Sequence, residues 1–148
     1  MGVRLVEAKP SNLPVLLVFV EAYFNYDNLR FSPEVSSAVA QLLESPELGA
    51  YFLVLVDDEA QGYVGLTYGF DAEAGGRIGV ITDFYLRESA RGKGVGRSAL
   101  RQVIGFAKDK GLRQVDLFVI EGNQRAESLY RSEGFDRIKG RFVMSRSL

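Results

Sequence analysis

Two hydrophobic rhythms alternate along the chain, and their order sketches an architecture. Val3 to Ala8 (VRLVEA) alternates apolar and polar positions, the pattern of a half-buried strand. Pro10-Ser11-Asn12 interrupts it, and Ser11 or Asn12 is placed to cap a helix running to about Tyr26, with Pro14 tolerated in its first turn. A second helix is predicted from Ser32-Pro33-Glu34 through VSSAVAQLL, with Ser32 as N-cap and a stop before Pro46. Tyr51 to Val56 (YFLVLV) is continuously apolar, as in a strand covered on both faces. A polar turn over residues 57–62 returns the chain into Tyr63 to Phe70, and a loop around Gly75-Gly76 leads into Arg77 to Leu86. These three strands predict an antiparallel meander.

Beyond Leu86 the period becomes helical. From Val95 to Lys110, residues Val95, Ala99, Leu100, Val103, Ile104 and Ala107 share one face, and Gly111 fits the position just past the helix end. Gln114 to Ile120 (QVDLFVI) reads as a strand and Gln124 to Ser132 as a short helix stopped near Gly134. Phe135 to Lys139 and Phe142 to Ser147 read as closing strands around Gly140. The strand–helix–strand unit over residues 77–120 implies one parallel crossover in an otherwise antiparallel sheet. With no repeat, linker or low-complexity tract, residues 1–148 are expected to form a single α/β (α+β) domain.

Composition narrows the chemistry. With 148 residues, 47% hydrophobic and 25% charged, the chain can bury a core. A net charge of -1 gives no basic field for nucleic acid or an anionic membrane. The longest apolar stretch, Leu13 to Val20, contains Pro14 and falls far short of the roughly 20 residues of a membrane span. The N-terminus lacks the features of a signal peptide, so a cytoplasmic location is expected. The chain has no cysteine and no histidine, which removes thiol nucleophiles, Ser-His-Asp triads and Cys- or His-ligated metal; no metal site is expected. Acid–base work falls to carboxylates, tyrosine, lysine, the termini or water.

The main chemical signal is Arg91-Gly92-Lys93-Gly94-Val95-Gly96-Arg97, lying between a strand and a helix N-terminus. Glycines there let main-chain N–H groups converge, and the first helical turn adds unpaired donors and the positive end of the dipole. Arg91, Lys93 and Arg97 add charge, so the turn suits a phosphate or pyrophosphate. A Walker loop is excluded because Lys93 precedes Gly94 with no Ser or Thr after it. The G-x-G-x-x-G dinucleotide pattern fails because Arg97 or Ala99 holds its third glycine position.

The stretch RGKGVG resembles the R/Q-x-x-G-x-G/A pyrophosphate motif of the GNAT superfamily of N-acetyltransferases, and it follows a strand, VITDFYL, of that family's character. Asn123, Ala126, Tyr130, Gly134 and Phe135 are similar to its N-x-x-A-x-x-x-Y-x-x-x-G-F signature, one helix and one strand later. The resemblance implies a GNAT-like mixed, mostly antiparallel central sheet flanked by about four helices. It implies acetyl-CoA (coenzyme A) as cofactor, with its pyrophosphate on the main chain of Arg91, Gly92, Lys93, Gly94, Val95, Gly96 and Arg97. Phe84, Tyr85 and Leu86 would run beside the pantetheine arm, in an opening where the sheet splays. Asn123 would hydrogen-bond the cofactor, the position of Ala126 is also part of that site, and Tyr130 would protonate the departing thiolate. With no Cys or His, direct attack of an amine on the thioester is the natural mechanism.

Some relatives carry a glutamate base where this chain has Thr82, which cannot serve; Asp83 is the candidate, directly or through a water, or is a structural acceptor. Glu21 and Asp27 are alternatives that could also hold a cationic acceptor. In the family the acceptor lies against the first two helices and the meander, where Tyr23, Phe24, Tyr26, Asp27, Phe31 and Tyr68 offer aromatic faces and a carboxylate to an amine. The expectation is N-acetyl transfer to a primary amine of a small molecule or peptide, with no nucleic-acid or membrane partner and homodimerisation open. The alternative is a GNAT-like module that binds acyl-CoA without turnover. Acetyl against a longer acyl donor, and the acceptor itself, are left open.

Overall fold

The computed structural model describes residues 1–148, which fall into two units, Met1–Phe118 and Val119–Leu148. The first carries five strands: β1 (Val3–Glu7), β2 (Gly49–Val56), β3 (Glu59–Asp71), β4 (Gly76–Leu86) and β5 (Val115–Leu117). They lie in the order β1-β2-β3-β4-β5, antiparallel except for the parallel pair β4–β5. Its helices are α1 (Leu13–Tyr26), α2 (Pro33–Leu43) and α3 (Val95–Asp109); a fourth, α4 (Gln124–Ser132), belongs to the second unit. The mixed, mostly antiparallel sheet with four helices and one crossover matches the expected fold class. No helix is long and apolar enough to cross a membrane.

The apolar pattern explains how the layers stack. Leu16, Phe19 and Val20 recur at helical spacing on α1 and are buried with Val39 and Leu43 of α2 against Leu53 and Tyr63, which pair across β2 and β3. Phe52 points to the opposite face, its ring 4.8 Å from that of Phe106 on α3. There Val95, Ala99, Leu100, Val103 and Ala107 bury the stripe read from the sequence. Ser32 caps α2 by accepting from the Val35 N–H at 3.4 Å, as expected. Asn12, by contrast, spends its side chain on the Lys9 N–H (2.8 Å), within a 3-10 turn at Pro10–Asn12 that precedes α1.

Three predicted strands are corrected. The strand read over Gln114 to Ile120 pairs only at Val115–Leu117, since a turn follows in which the Asn123 N–H bonds the Ile120 carbonyl at 3.0 Å. Phe135 to Lys139 and Phe142 to Ser147 form no ladder, and Phe142 is 85% exposed. A strand exists only through a partner's hydrogen bonds. Arg137, inside the first of these segments, is instead committed to Glu127 of α4 through Nε (2.8 Å) and Nη2 (2.6 Å).

Candidate active site

β4 ends at Leu86, a 3-10 turn covers Glu88–Ala90, and α3 begins at Val95. Ala90 and Val95, both buried, anchor the intervening loop at its two ends. Between them Gly92 (φ +74°) and Gly94 (φ +81°) adopt left-handed conformations that cost other residues roughly 1–2 kcal/mol. A Cβ on Gly94 would meet nothing within 4 Å. Glycine is therefore needed there for the backbone path, and it leaves open ground in front of the helix. As N-cap, Gly94 offers no side chain to the donors of the first turn. Lys93 and Arg97 are exposed beside it. An open, donor-rich, cationic cradle is what an anionic pyrophosphate requires.

Phe84, Tyr85 and Leu86 close β4, paired to Val64, Tyr63 and Gly62 of β3. Pairing with β5 stops at Ile81, so this last stretch has a strand neighbour on one edge only. The sheet thus opens alongside the residues expected to flank a pantetheine arm.

Asp83 owes its position to an irregularity. Leu66 pairs with Ile81 but Gly65 pairs with Asp83, leaving Thr82 as an extra residue in β4. The bulge turns Asp83 onto the face of Tyr63 and Tyr85, beneath α1. Tyr63 donates its hydroxyl to Asp83 Oδ2 at 2.8 Å. A Cβ on Gly65 would lie 2.9 Å from both Thr82 Oγ1 and Tyr51 Cε1, so the missing side chain makes room for both groups. Tyr23 bridges edge-on to Tyr63 (6.3 Å) and Tyr85 (6.4 Å), and Tyr26 meets Tyr85 at 6.4 Å.

Burial raises the Asp83 carboxyl above its ordinary value, against the hydrogen bonds from Tyr63 and Thr82, and repulsion from Asp27 raises it further. Burial and the Asp83 charge likewise hold the Tyr51 and Tyr63 phenols protonated, far above the usual tyrosine value. The main-chain path at Tyr26 and Asp27 is set by how α1 ends. The Asn28 N–H bonds the Asn25 carbonyl (3.3 Å) and the Leu29 N–H the Phe24 carbonyl (2.8 Å), with Asn28 left-handed (φ +55°). The arrangement is a carboxylate of raised proton affinity with a second carboxylate near it, walled by tyrosine faces. It can take a proton from an amine and attract a cation.

In the second unit the N-x-x-A-x-x-x-Y-x-x-x-G-F residues are largely a helix's start and stop. Asn123 caps α4 by accepting from the Ala126 N–H at 3.2 Å. At the other end the Gly134 N–H bonds the Arg131 carbonyl and the Phe135 N–H the Tyr130 carbonyl, both at 3.1 Å, while the Tyr130 and Phe135 rings meet edge-on at 6.0 Å. Burial raises the Tyr130 phenol above the ordinary tyrosine value. Hydrogen bonds from Arg137 and Arg131 pull the Glu127 carboxyl down to about 2.

The structure therefore gathers Asp83, Tyr85, Tyr26 and Asp27 in the first unit. It does not gather Glu21 or Tyr68. Glu21 shares the exposed side of α1 with Val18 and Asn25. Tyr68 sits on the other face of β3 from Tyr63, under the Arg77 guanidinium at 4.9 Å. Sequence reasoning missed Tyr63 and Tyr51 as partners of Asp83. Period-two alternation along β2 and β3 could have put them on one face, but not the face of Asp83, which the bulge decides.

A family model described as "Acetyltransferase (GNAT) family" matches residues 18–135. Among curated proteins, thialysine N-epsilon-acetyltransferase of Sus scrofa is 36% identical over 145 residues, spanning 90% of this chain and 84% of that protein. The enzyme of the same name from Bos taurus is 27% identical over 141 residues, spanning 89% and 83%. Among solved structures, an integron cassette protein from the mobile metagenome of Cole Harbour Salt Marsh superposes with a TM-score of 0.85 at 30% identity, over 97% of this chain and 90% of that one. An aminoglycoside acetyltransferase from an uncultured soil metagenomic sample shares the fold at TM-score 0.82 and 16% identity, over 99% and 96%.

Proposed function

The chain belongs to the GNAT family of acetyltransferases, and from that premise we propose that residues 1–148 form one domain transferring an acetyl group from acetyl-CoA to a primary aliphatic amine. The observation that carries the proposal is the pairing, in one unit, of an open glycine cradle at a helix N-terminus with a carboxylate whose proton affinity is raised. Acetyl-CoA, when bound, supplies an acyl group activated as a thioester. The Arg91 N–H, expected from the sequence to share in this, is spent on the Glu88 carbonyl at 3.1 Å, so the main-chain N–H groups from Gly92 to Arg97 hold its pyrophosphate, assisted by Lys93 and Arg97. The main chain of Phe84–Leu86 aligns the pantetheine arm. Asn123 spends its oxygen on the α4 cap, so its NH2 is what it can offer a ligand, and the Ala126 position goes with it in the cofactor assignment.

Acid–base work divides between two groups. Asp83 takes the proton of the attacking amine, its Oδ2 steadied by the Tyr63 hydroxyl. The Tyr130 phenol, kept protonated by burial, donates to the departing sulfur. Asp27 and the tyrosine faces favour a cationic acceptor. The curated relatives are named for the ε-amine of thialysine, an amine at the end of an amino-acid side chain, and the acceptor proposed here is of that class.

The test presents acetyl-CoA with a panel of diamines, aminoalkyl amino acids and peptides, and follows free CoA. Release dependent on one of these amines is expected. Failure to bind CoA would remove the donor assignment. Saturable CoA binding with no release on any amine would favour a non-catalytic acyl-CoA module, the reading that Thr82 in place of a glutamate keeps open.

A further inference from the structure

Arg91 opens the glycine turn, and in the sequence its charge counts toward an anion site. Its guanidinium has another engagement. Nε donates to the Leu86 carbonyl at 2.8 Å, and the guanidinium carbon stands 4.7 Å from the Tyr26 ring centroid and 5.5 Å from that of Tyr85. Tyr26 ends α1 directly before Asp27, and Tyr85 lies two residues past Asp83 on the same face of the bulged strand. Tyr26 is 62% exposed, so little but Arg91 and the neighbouring Tyr85 ring constrains it. A planar guanidinium can stack on rings while keeping an in-plane N–H for a carbonyl; an ammonium has no planar face to stack.

We propose that Arg91 is a positioning residue that ties the donor turn to the last turn of α1, so that occupation of the turn steadies Tyr26 and Asp27 and raises affinity for the acceptor amine. The inference rests on the donor reading of the turn. The main chain of the turn and Lys93 then serve the anion, and the Arg91 side chain serves the acceptor wall. The coupling is reciprocal, because whatever the donor does for the acceptor the acceptor does for the donor.

The test uses CoA as probe and the full chain as protein. Binding is measured by calorimetry, and hydrogen exchange is followed at the Asp27, Asn28 and Leu29 amides, each hydrogen-bonded in the closure of α1. In the wild type, CoA is expected to slow exchange there by roughly fivefold or more, the lower range of allosteric coupling. Arg91→Gln should bind CoA within about threefold of wild type, well short of the roughly tenfold or greater loss of a charge-assisted bond to phosphate, and should lose the slowing. Arg91→Lys should restore only part of it. Tyr26→Leu, at an exposed position, should also lose it and covers the case in which Arg91→Gln folds poorly. With an accepted amine, both losses should raise its KM more than they lower kcat. A tenfold or larger drop in CoA affinity for Arg91→Gln, slowing that persists in that variant, or no slowing in the wild type would each overturn the proposal. Absence of CoA binding by the wild type is a different result, which removes the donor reading and this inference with it.

Discussion

The glycine turn and the wall around Asp83 lie in one unit but are built in opposite ways. The turn is a consecutive run, Arg91 to Arg97, and what it offers an anion is mostly main chain arranged by two left-handed glycines. The wall takes Tyr23, Tyr26 and Asp27 from α1 and its end, Tyr51 from β2, Tyr63 from β3, and Asp83 and Tyr85 from β4. What it offers is side-chain chemistry, tuned by burial. A site made of backbone should fail when a side chain is added, whereas a site made of side chains should fail when one functional atom is changed. The contrast also separates the tasks, since a pyrophosphate asks for donors and room while deprotonating an amine asks for a carboxylate held at an unusual proton affinity.

The largest effect is expected from Asp83→Asn. One oxygen becomes an amide, Tyr63 keeps an acceptor, and turnover should fall by roughly 10²- to 10⁴-fold, the range for a lost general base, with CoA affinity little changed. Stability should move the other way. The Asp83 carboxyl is raised in the folded protein, chiefly by burial. The stability it contributes is therefore present in full below its unfolded value and is lost as pH rises through the folded one. At neutral pH the wild type carries the cost of a desolvated carboxylate, which Asn lacks. Melting curves should show the variant more stable than wild type near pH 8, with the difference closing as pH falls toward the unfolded carboxylate range. A variant less stable at pH 8 would mean that Asp83 is a structural acceptor, and the wall would lose its functional reading.

Next comes Gly94→Val, the complementary break. Its Cβ enters open space, so no packing clash is created. The loss comes from forcing a branched residue into a left-handed conformation and from blocking the approach to the helix N-terminus. CoA affinity should fall roughly 10- to 100-fold, the worth of one or two charge-assisted hydrogen bonds, as read by calorimetry. The Asp83 environment should be untouched, so the tyrosine titration of the wall should match wild type.

The same contrast decides which features are legible in the amino-acid sequence. The turn is legible because its glycines, charges and helix start are neighbours along the chain, and Val95, Ala99, Leu100, Val103 and Ala107 announce α3 by spacing alone. Much of the N-x-x-A-x-x-x-Y-x-x-x-G-F signature is legible for the same local reason, since it spells a cap at Asn123 and a closure at Gly134 and Phe135. The wall is not. Counting pairs outward from the turn at Asp71 and Gly76 without interruption sets Asp83 opposite Val64, on the α3 face. The extra residue Thr82 shifts it opposite Gly65 and reverses the face. Nothing in the sequence around Thr82 declares a bulge. The closing strands expected from Phe135 onward fail similarly, because alternation shows that a segment suits a strand, not that a partner is there to pair with it.

The smallest functional effect is expected at Gln102, and it tests whether the turn is as self-contained as the contrast requires. Gln102 lies on α3, the helix whose N-terminus forms the cradle, yet its side chain works at the sheet's edge strand. Its Oε1 accepts from the Leu5 N–H at 2.9 Å, and its Nε2 donates to the Val3 carbonyl at 3.0 Å and to Ser98 Oγ at 3.2 Å. One carboxamide thus occupies the outward donor and acceptor of β1 as a further strand would, and shields an edge that could template pairing with another chain. Gln102→Leu leaves both main-chain groups without that partner and should cost about 1–3 kcal/mol in urea denaturation. If the turn is shaped by its own glycines and by the buried Ala90 and Val95, CoA affinity under native conditions should match wild type. A fall in affinity alongside the fall in stability would show that the β1 edge holds α3 in register for the cradle. The donor turn would then be, like the wall, a long-range construction that only looks local in the sequence.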